Sequence, residues 1–223
     1  MHASVLAKLS SFLKPYEGKV GHMYLDVDGA VTVGIGHKID PMSIGQSFKF
    51  QFKGQPGSDA SAAYAGEWQK VKSRQDLKDK GSGAFASITT IELSDAGIEA
   101  LVISSAKGIE NYIKTNASAK KFYADFDKWP ADAQLGFMGV AWGGIPLPQF
   151  GWNKFPEACR TQDWETAAKE CTITSPIAAG RNQAHRLLFN NAASVAFNGD
   201  DIGTLVYPIQ LLKRTTIYGN EKE

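Results

Sequence analysis

The chain has 223 residues, with 24 Lys and Arg against 23 Asp and Glu, a formal charge of +1 and 43% apolar residues. That balance excludes a disordered or fibrous chain, and it lacks the basic excess with which general nucleic-acid binders neutralise phosphates. One folding unit is expected over 1–223, with no membrane span, because no run approaches the roughly 18 apolar residues a span requires.

Residues 1–15 carry Lys8 and Lys14 but no uninterrupted apolar stretch with a small-residue cleavage site, so no export signal is read there. Val5, Leu6, Leu9, Phe12 and Leu13 recur at helical spacing. They predict an amphipathic helix over 4–14 that stops near Pro15 and leaves Glu17 just past its end. From Lys19 to His37 the period changes to two: Met23 and Leu25 alternate before Asp28-Gly29, and Val31, Val33 and Ile35 after it. That is the pattern of a β-hairpin, and 4–39 is read as helix plus hairpin. Residues 40–90 are poor in apolar signal apart from Phe48, Phe50, Phe52, Trp68 and Phe85, and read as an insertion with one helix near 60–77.

A helical lobe is expected over 91–197. Ser94 predicts an N-cap for a helix from Asp95 to about Lys114. The next helix, beginning around Asp127, entered through Pro130 and ended by Gly143-Gly144, is apolar on most faces and is expected to be the buried centre. Helices over 163–170, opened by Asp163, and over 180–196, with a stripe of Leu187, Leu188, Phe189, Ala192, Val195 and Ala196, complete the lobe. The tail, 198–223, shows no clear period. Cys159 and Cys171 are too few and too close for a disulfide framework and read as ordinary thiols.

Two loop lengths fit the hairpin, and they place different side chains together because residues alternate across a sheet. A two-residue turn at Asp28-Gly29 pairs Asp26 with Val31. A three-residue loop, Val27-Asp28-Gly29, pairs Asp26 with Ala30 and Tyr24 with Thr32, and sets Gly29 in the left-handed position such loops require. The second register sorts Met23, Leu25, Val31, Val33 and Ile35 to an apolar face. Tyr24, Asp26, Ala30, Thr32, Gly34 and Gly36 share an open one, with Glu17 approaching from the helix end. A carboxylate pair with a hydroxyl suits glycoside hydrolysis, in which one carboxylic acid protonates the leaving oxygen and a second carboxylate serves the opposite face of the sugar.

Taken together, Tyr16-Glu17-Gly18, Tyr24-Leu25-Asp26, Asp28-Gly29 and Thr32-Val33-Gly34-Ile35-Gly36-His37 closely resemble the phage-type lysozymes, whose signature is Glu-x8-Asp-x5-Thr running into Gly-x-Gly-His. The resemblance implies an α+β, lysozyme-like fold, mostly helical with a small N-terminal antiparallel β-hairpin or sheet beside the active-site cleft. It implies an inverting muramidase acting on peptidoglycan, with Glu17 as general acid, Asp26 and Thr32 activating water, and no cofactor or metal. By the same resemblance His37 closes the hairpin as a structural residue.

FMGVAWGG is similar to the family segment that meets substrate, but Trp142 stands where a polar residue is usual. Tyr24, Trp142 and Arg181 are the candidate substrate-binding residues; Arg181 resembles an Arg that approaches the acid Glu, a position that also favours ionisation. KWPADAQLGFMGVAWG and GRNQAHRLLFNNAASV are also similar to the lysozyme-like toxins of type VI secretion systems. That implies a bacteriolytic monomer made in the cytoplasm without a signal peptide, a secretion carrier, an immunity protein, and action in the periplasm or wall of a target bacterium.

The rivals are a lytic transglycosylase, which needs one Glu and no activated water, and a non-catalytic wall-binding module. A cysteine peptidase or a zinc amidase finds no matching cluster among Cys159, Cys171, His2, His22, His37 and His185.

Overall fold

A computed structural model of the chain describes residues 1–174 and 178–214. The architecture is α+β, with helices predominating and two small antiparallel sheets. The chain divides into two compact units: Leu13–Ser105, here the sheet unit, and Met1–Phe12 with the chain from Ala106 onward, the helical unit.

Helix α1 (Ala3–Glu17) does not stop at Pro15 but carries it in its last turn. A proline there forfeits only the amide bond to the Ser11 carbonyl. The end is set by Gly18, at φ +73°, whose amide donates to the Lys14 carbonyl at 3.1 Å, a left-handed glycine cap. Glu17 is thus the last helical residue rather than a loop residue beyond the helix.

Strands β1 (Val20–Leu25), β2 (Val31–Gly34) and β3 (His37–Lys38) form one sheet in that order. Tyr24 lies opposite Thr32 and Leu25 opposite Val31. The Asp26 amide donates to the Ala30 carbonyl at 3.0 Å, the Gly29 amide to the Asp26 carbonyl at 2.9 Å, and Gly29 sits at φ +74°. This is the three-residue loop, and Met23, Leu25, Val31, Val33 and Ile35 are all buried, as the alternation requires. The second strand is shorter than the alternation suggested. Gly34 and Gly36, at φ +72° and +69°, turn the chain into β3 and set Lys38 opposite Thr32.

The insertion is built onto this sheet. Strands β4 (Phe50–Phe52) and β5 (Ile91–Leu93) pair antiparallel. Between them, α2 (Tyr64–Lys72) is the expected helix, shorter than 60–77 because 3₁₀ turns at Ser61–Ala63 and Gln75–Lys80 flank it. Trp68, Val71 and Phe85 are buried; Trp68 Nε1 donates to the Ile39 carbonyl at 2.9 Å, and His22 Nε2 lies 2.8 Å from the Ser82 carbonyl. Helix α3 (Asp95–Thr115) starts as expected, the Gly97 amide donating to Ser94 Oγ at 3.0 Å.

In the helical unit, α4 (Ala117–Tyr123) precedes α5 (Ala131–Ala141), which is buried at every residue. The Phe137 ring packs on Tyr123, Phe126 and Trp129, with the Tyr123 centroid at 4.7 Å. Helix α6 (Phe155–Thr161) was not anticipated. Helix α7 (Trp164–Glu170) is capped by Asp163, which accepts from the Thr166 amide at 3.0 Å, and α8 (Ala179–Asn198) ends at Gly199, φ +67°.

The tail owes its place to side chains of α5 and α8. Asp132 accepts from the Val206 and Tyr207 amides at 2.8 and 3.0 Å. Asn191 donates to the Ile209 carbonyl at 2.7 Å and accepts from the Leu211 amide at 2.8 Å, while Asn198 accepts from the Arg214 amide at 2.7 Å. The rest of the tail, 215–223, lies outside the described residues.

Candidate active site

Four of the six residues singled out in the sequence fall in the sheet unit: Glu17, Tyr24, Asp26 and Thr32. The two carboxylates are held by the local backbone devices already described. A methyl group placed on Gly36 would stand 3.5 Å from Glu17 Oε2, so the last residue of α1 lays its carboxylate against the β2–β3 turn. The Gly-x-Gly-His run therefore has a physical reading: both glycines supply left-handed turn conformations that a side chain resists. His37 follows in β3, its Nδ1 3.2 Å from Ser105 Oγ and its ring 5.6 Å from that of Phe48. Burial pushes its imidazole below the usual range.

Asp26 is anchored through both carboxylate oxygens. Its Oδ1 accepts from the Asp28 and Ala30 amides, both at 2.9 Å, and its Oδ2 lies 3.1 Å from Lys38 Nζ. Burial raises the carboxyl, but the Ala30 amide, the Lys38 ammonium and the Asp28 amide together outweigh it, so Asp26 stays ionised below the ordinary carboxylate range. Tyr24 registers both acids: burial first, then the charges of Asp26 and Glu17, push its phenol up.

Thr32 departs from the expected open face. It is only 2% exposed, and its hydroxyl donates to the Ala30 carbonyl at 3.2 Å. The reason is topological: β2 is the central strand, so Thr32 has Tyr24 on one flank and Lys38 on the other. Reasoning from a two-strand hairpin misses the second flank.

Trp142 and Arg181 belong to the helical unit. Trp142 is half-buried at the C-cap of α5, and Arg181 Nη2 donates to the Gly139 carbonyl at 2.6 Å. Arg181 also lines a cavity of 830 Å³ whose wall includes Phe150, Trp152, Asn153, Lys154 and Lys169 but not Trp142. The aromatic and basic residues of that wall went unnoticed in the sequence, although Phe150, Trp152 and Lys154 crowd into one short string, QFGWNKF. Lys38 was missed too, although it directly follows the Gly-x-Gly-His run.

Both cysteines are buried and unpaired as a disulfide; burial pushes the Cys159 thiol well up and the Cys171 thiol to about 12, which opposes thiolate chemistry at neutral pH. Among the described residues no three His, Cys, Asp or Glu side chains converge as a metal site, and no helix is long and apolar enough to cross a membrane. No protein-family model matches the chain, and no curated protein matches it.

Proposed function

We propose that the chain is a lysozyme-like muramidase that hydrolyses the β-1,4 bond between N-acetylmuramic acid and N-acetylglucosamine in bacterial peptidoglycan. The observation that carries this reading is the register of the hairpin: Tyr24 opposite Thr32, and Asp26 opposite Ala30 across a loop ending at Gly29. That register puts an ionised carboxylate beside Tyr24, whose phenol also feels the charge of Glu17. In the proposed reaction Glu17 gives its proton to the glycosidic oxygen as that bond breaks. A water held by Asp26 attacks the anomeric carbon from the opposite face and yields its proton to Asp26, which inverts the centre. Thr32 would assist by orienting this water, which requires its hydroxyl to leave the Ala30 carbonyl. The aromatic and basic cavity wall around Phe150, Trp152 and Arg181 would contact sugar rings and acidic groups of the same polymer. Delivery by a secretion carrier to the wall of a target bacterium, with an immunity protein as counterpart, belongs to the same proposal.

The covered hydroxyl of Thr32 favours one rival, a lytic transglycosylase, which needs the acid but no activated water. Products separate the two. Purified sacculi should release muropeptides with reducing muramic ends, whereas 1,6-anhydro ends would establish the transglycosylase. Glu17→Gln should lower release by about 10²–10⁴-fold, and Asp26→Asn should abolish the reducing ends. Undiminished release by Glu17→Gln would remove the acid role, and binding to sacculi without any release would leave a wall-binding module.

A further inference from the structure

We propose that Lys38 is a positioning residue for this reaction, bridging Asp26 and Asp28 so that the Asp26 carboxylate stays ionised and fixed in direction. The inference rests on the muramidase reading and adds to it a residue outside the Glu-Asp-Thr signature.

The geometry is specific. Lys38 Nζ lies 3.1 Å from Asp26 Oδ2 and 2.8 Å from Asp28 Oδ2. It reaches them because the Gly34–Gly36 turn sets Lys38 directly across from Thr32, one step diagonal to Asp26. Asp26 Oδ1 is committed to the two amides that shape the loop. Oδ2 is therefore the oxygen left to hold a water, and Lys38 decides how it is oriented. The side chain of Asp26 is 17% exposed and that of Lys38 53% exposed, so the ammonium stands at the solvent edge over a mostly covered carboxylate.

The cation acts on Asp26 together with the two loop amides, against burial. Of the acidic groups nearby, Asp28 lies in its own loop and Asp40, which follows β3, feels the charge of Asp26; the neutral Tyr24 phenol on β1 feels both Asp26 and Glu17, which ends α1. Lys72, from α2, is occupied with Asp40 at 2.6 Å and with the Gly29 carbonyl at 2.9 Å. Among the described residues Lys38 is the cation that contacts Asp26 itself. Removing it leaves Asp26 among like charges, which favours its protonated form, and a protonated Asp26 cannot take the proton of the attacking water.

The test compares wild type, Lys38→Met and Lys38→Arg by the pH profile of kcat/KM on solubilised peptidoglycan, and by carboxyl ¹³C titration of Asp26. An ion pair whose cation stands at the solvent edge adds little to stability, and the loop amides still hold Asp26 Oδ1, so Lys38→Met should keep its amide spectrum. Its acid limb should move to higher pH, and the Asp26 titration should move the same way. Lys38→Arg should restore both. An acid limb and an Asp26 titration unchanged in Lys38→Met would overturn the role. If wild type cleaves no glycan, the muramidase reading falls, and the positioning role of Lys38 in that reaction falls with it. The titration would then show separately whether Lys38 sets the charge of Asp26.

Discussion

The sheet unit and the helical unit both hold irregular backbone with distant side chains, but with opposite chemistry. In the sheet unit, the loop ending at Gly29 is gripped by Lys72, while Asp26 is tied to its own loop amides and to Lys38. These are charged groups at partly exposed positions, where water and salt compete. In the helical unit, the tail is gripped by Asn191 and by the buried Asp132, beside a core that includes Trp129, Phe137 and Phe189. Amide side chains, one buried carboxylate and aromatic packing act there, with ion pairs of Lys213 and Arg214 near the exposed end of the described tail. The contrast teaches where each unit should yield: the helical unit to lost volume and buried charge, the sheet unit to subtle changes of loop geometry.

The largest expected effect tests the packing side. Phe137 is fully buried among Tyr123, Phe126 and Trp129, so Phe137→Ala should cost about 3–5 kcal/mol. Native-state hydrogen exchange should show the loss at α5 amides; a cost below about 1 kcal/mol would mean the core is not close-packed there.

Acid should act next, through His185. Burial, reinforced by the Arg181 cation, drives its imidazole down to about 3. An unfolded chain takes up that proton near 6.5. Between those values the unfolded state binds more protons, so the His185 contribution is complete above about pH 6.5 and is lost as pH falls, by up to about 1.4 kcal/mol per unit. His37 shifts in the same direction, so the measurement is the difference between wild type and His185→Gln in unfolding free energy from pH 7 to 5. Parallel curves would show that His185 does not drive acid lability.

A smaller effect should follow from Asn191→Ala, which removes the bonds to the Ile209 carbonyl and the Leu211 amide and the one to Asp132 Oδ1. A buried bond left unmade costs about 1–3 kcal/mol. Limited proteolysis should open near residues 209–212 before α8 is touched; simultaneous loss of α8 would show that the tail is part of the core rather than strapped to it.

What could be read in advance divides along the same line. The hairpin register was legible because five apolar residues alternate and Gly29 alone fits a left-handed loop position. Helix α5 was legible from an apolar run bounded by Pro130 and Gly143, and α3 and α7 from the capping residues Ser94 and Asp163. Strand β3 was not, because a two-residue strand has no period to detect. The β4–β5 pair was missed because partners such as Phe52 and Ile91 are far apart in sequence and only three residues long on each side. The tail was opaque for a different reason: much of its placement is written in Asn191, Ser194 and Asn198 on α8, which donate to or accept from its backbone, and not in any period of its own. The carboxylates of the candidate site were thus visible, whereas the cation controlling one of them and the covering of Thr32 depended on the unseen third strand.

The smallest change in stability should accompany a disproportionate change in activity, at Lys72. Its ammonium donates to the Gly29 carbonyl at 2.9 Å and to Asp40 Oδ2 at 2.6 Å, and Asp40 in turn lies 3.3 Å from the Val31 amide. The Lys72 bond, opposed by burial and helped by the Val31 amide, holds Asp40 below its usual range. Both side chains are partly exposed, so Lys72→Met should lower global stability by no more than about 1 kcal/mol. The same change leaves the Gly29 carbonyl, at the end of the loop that fixes Asp26 opposite Ala30, with only the longer bond from Gln75 Nε2 at 3.4 Å. Glycan cleavage should therefore fall severalfold while the melting curve hardly moves, and exchange should rise at the Gly29 and Ala30 amides but not in α5. Activity tracking stability one for one would mean that the insertion supports the sheet unit as a whole. A selective loss would assign residues 40–90 to the aiming of a carboxylate.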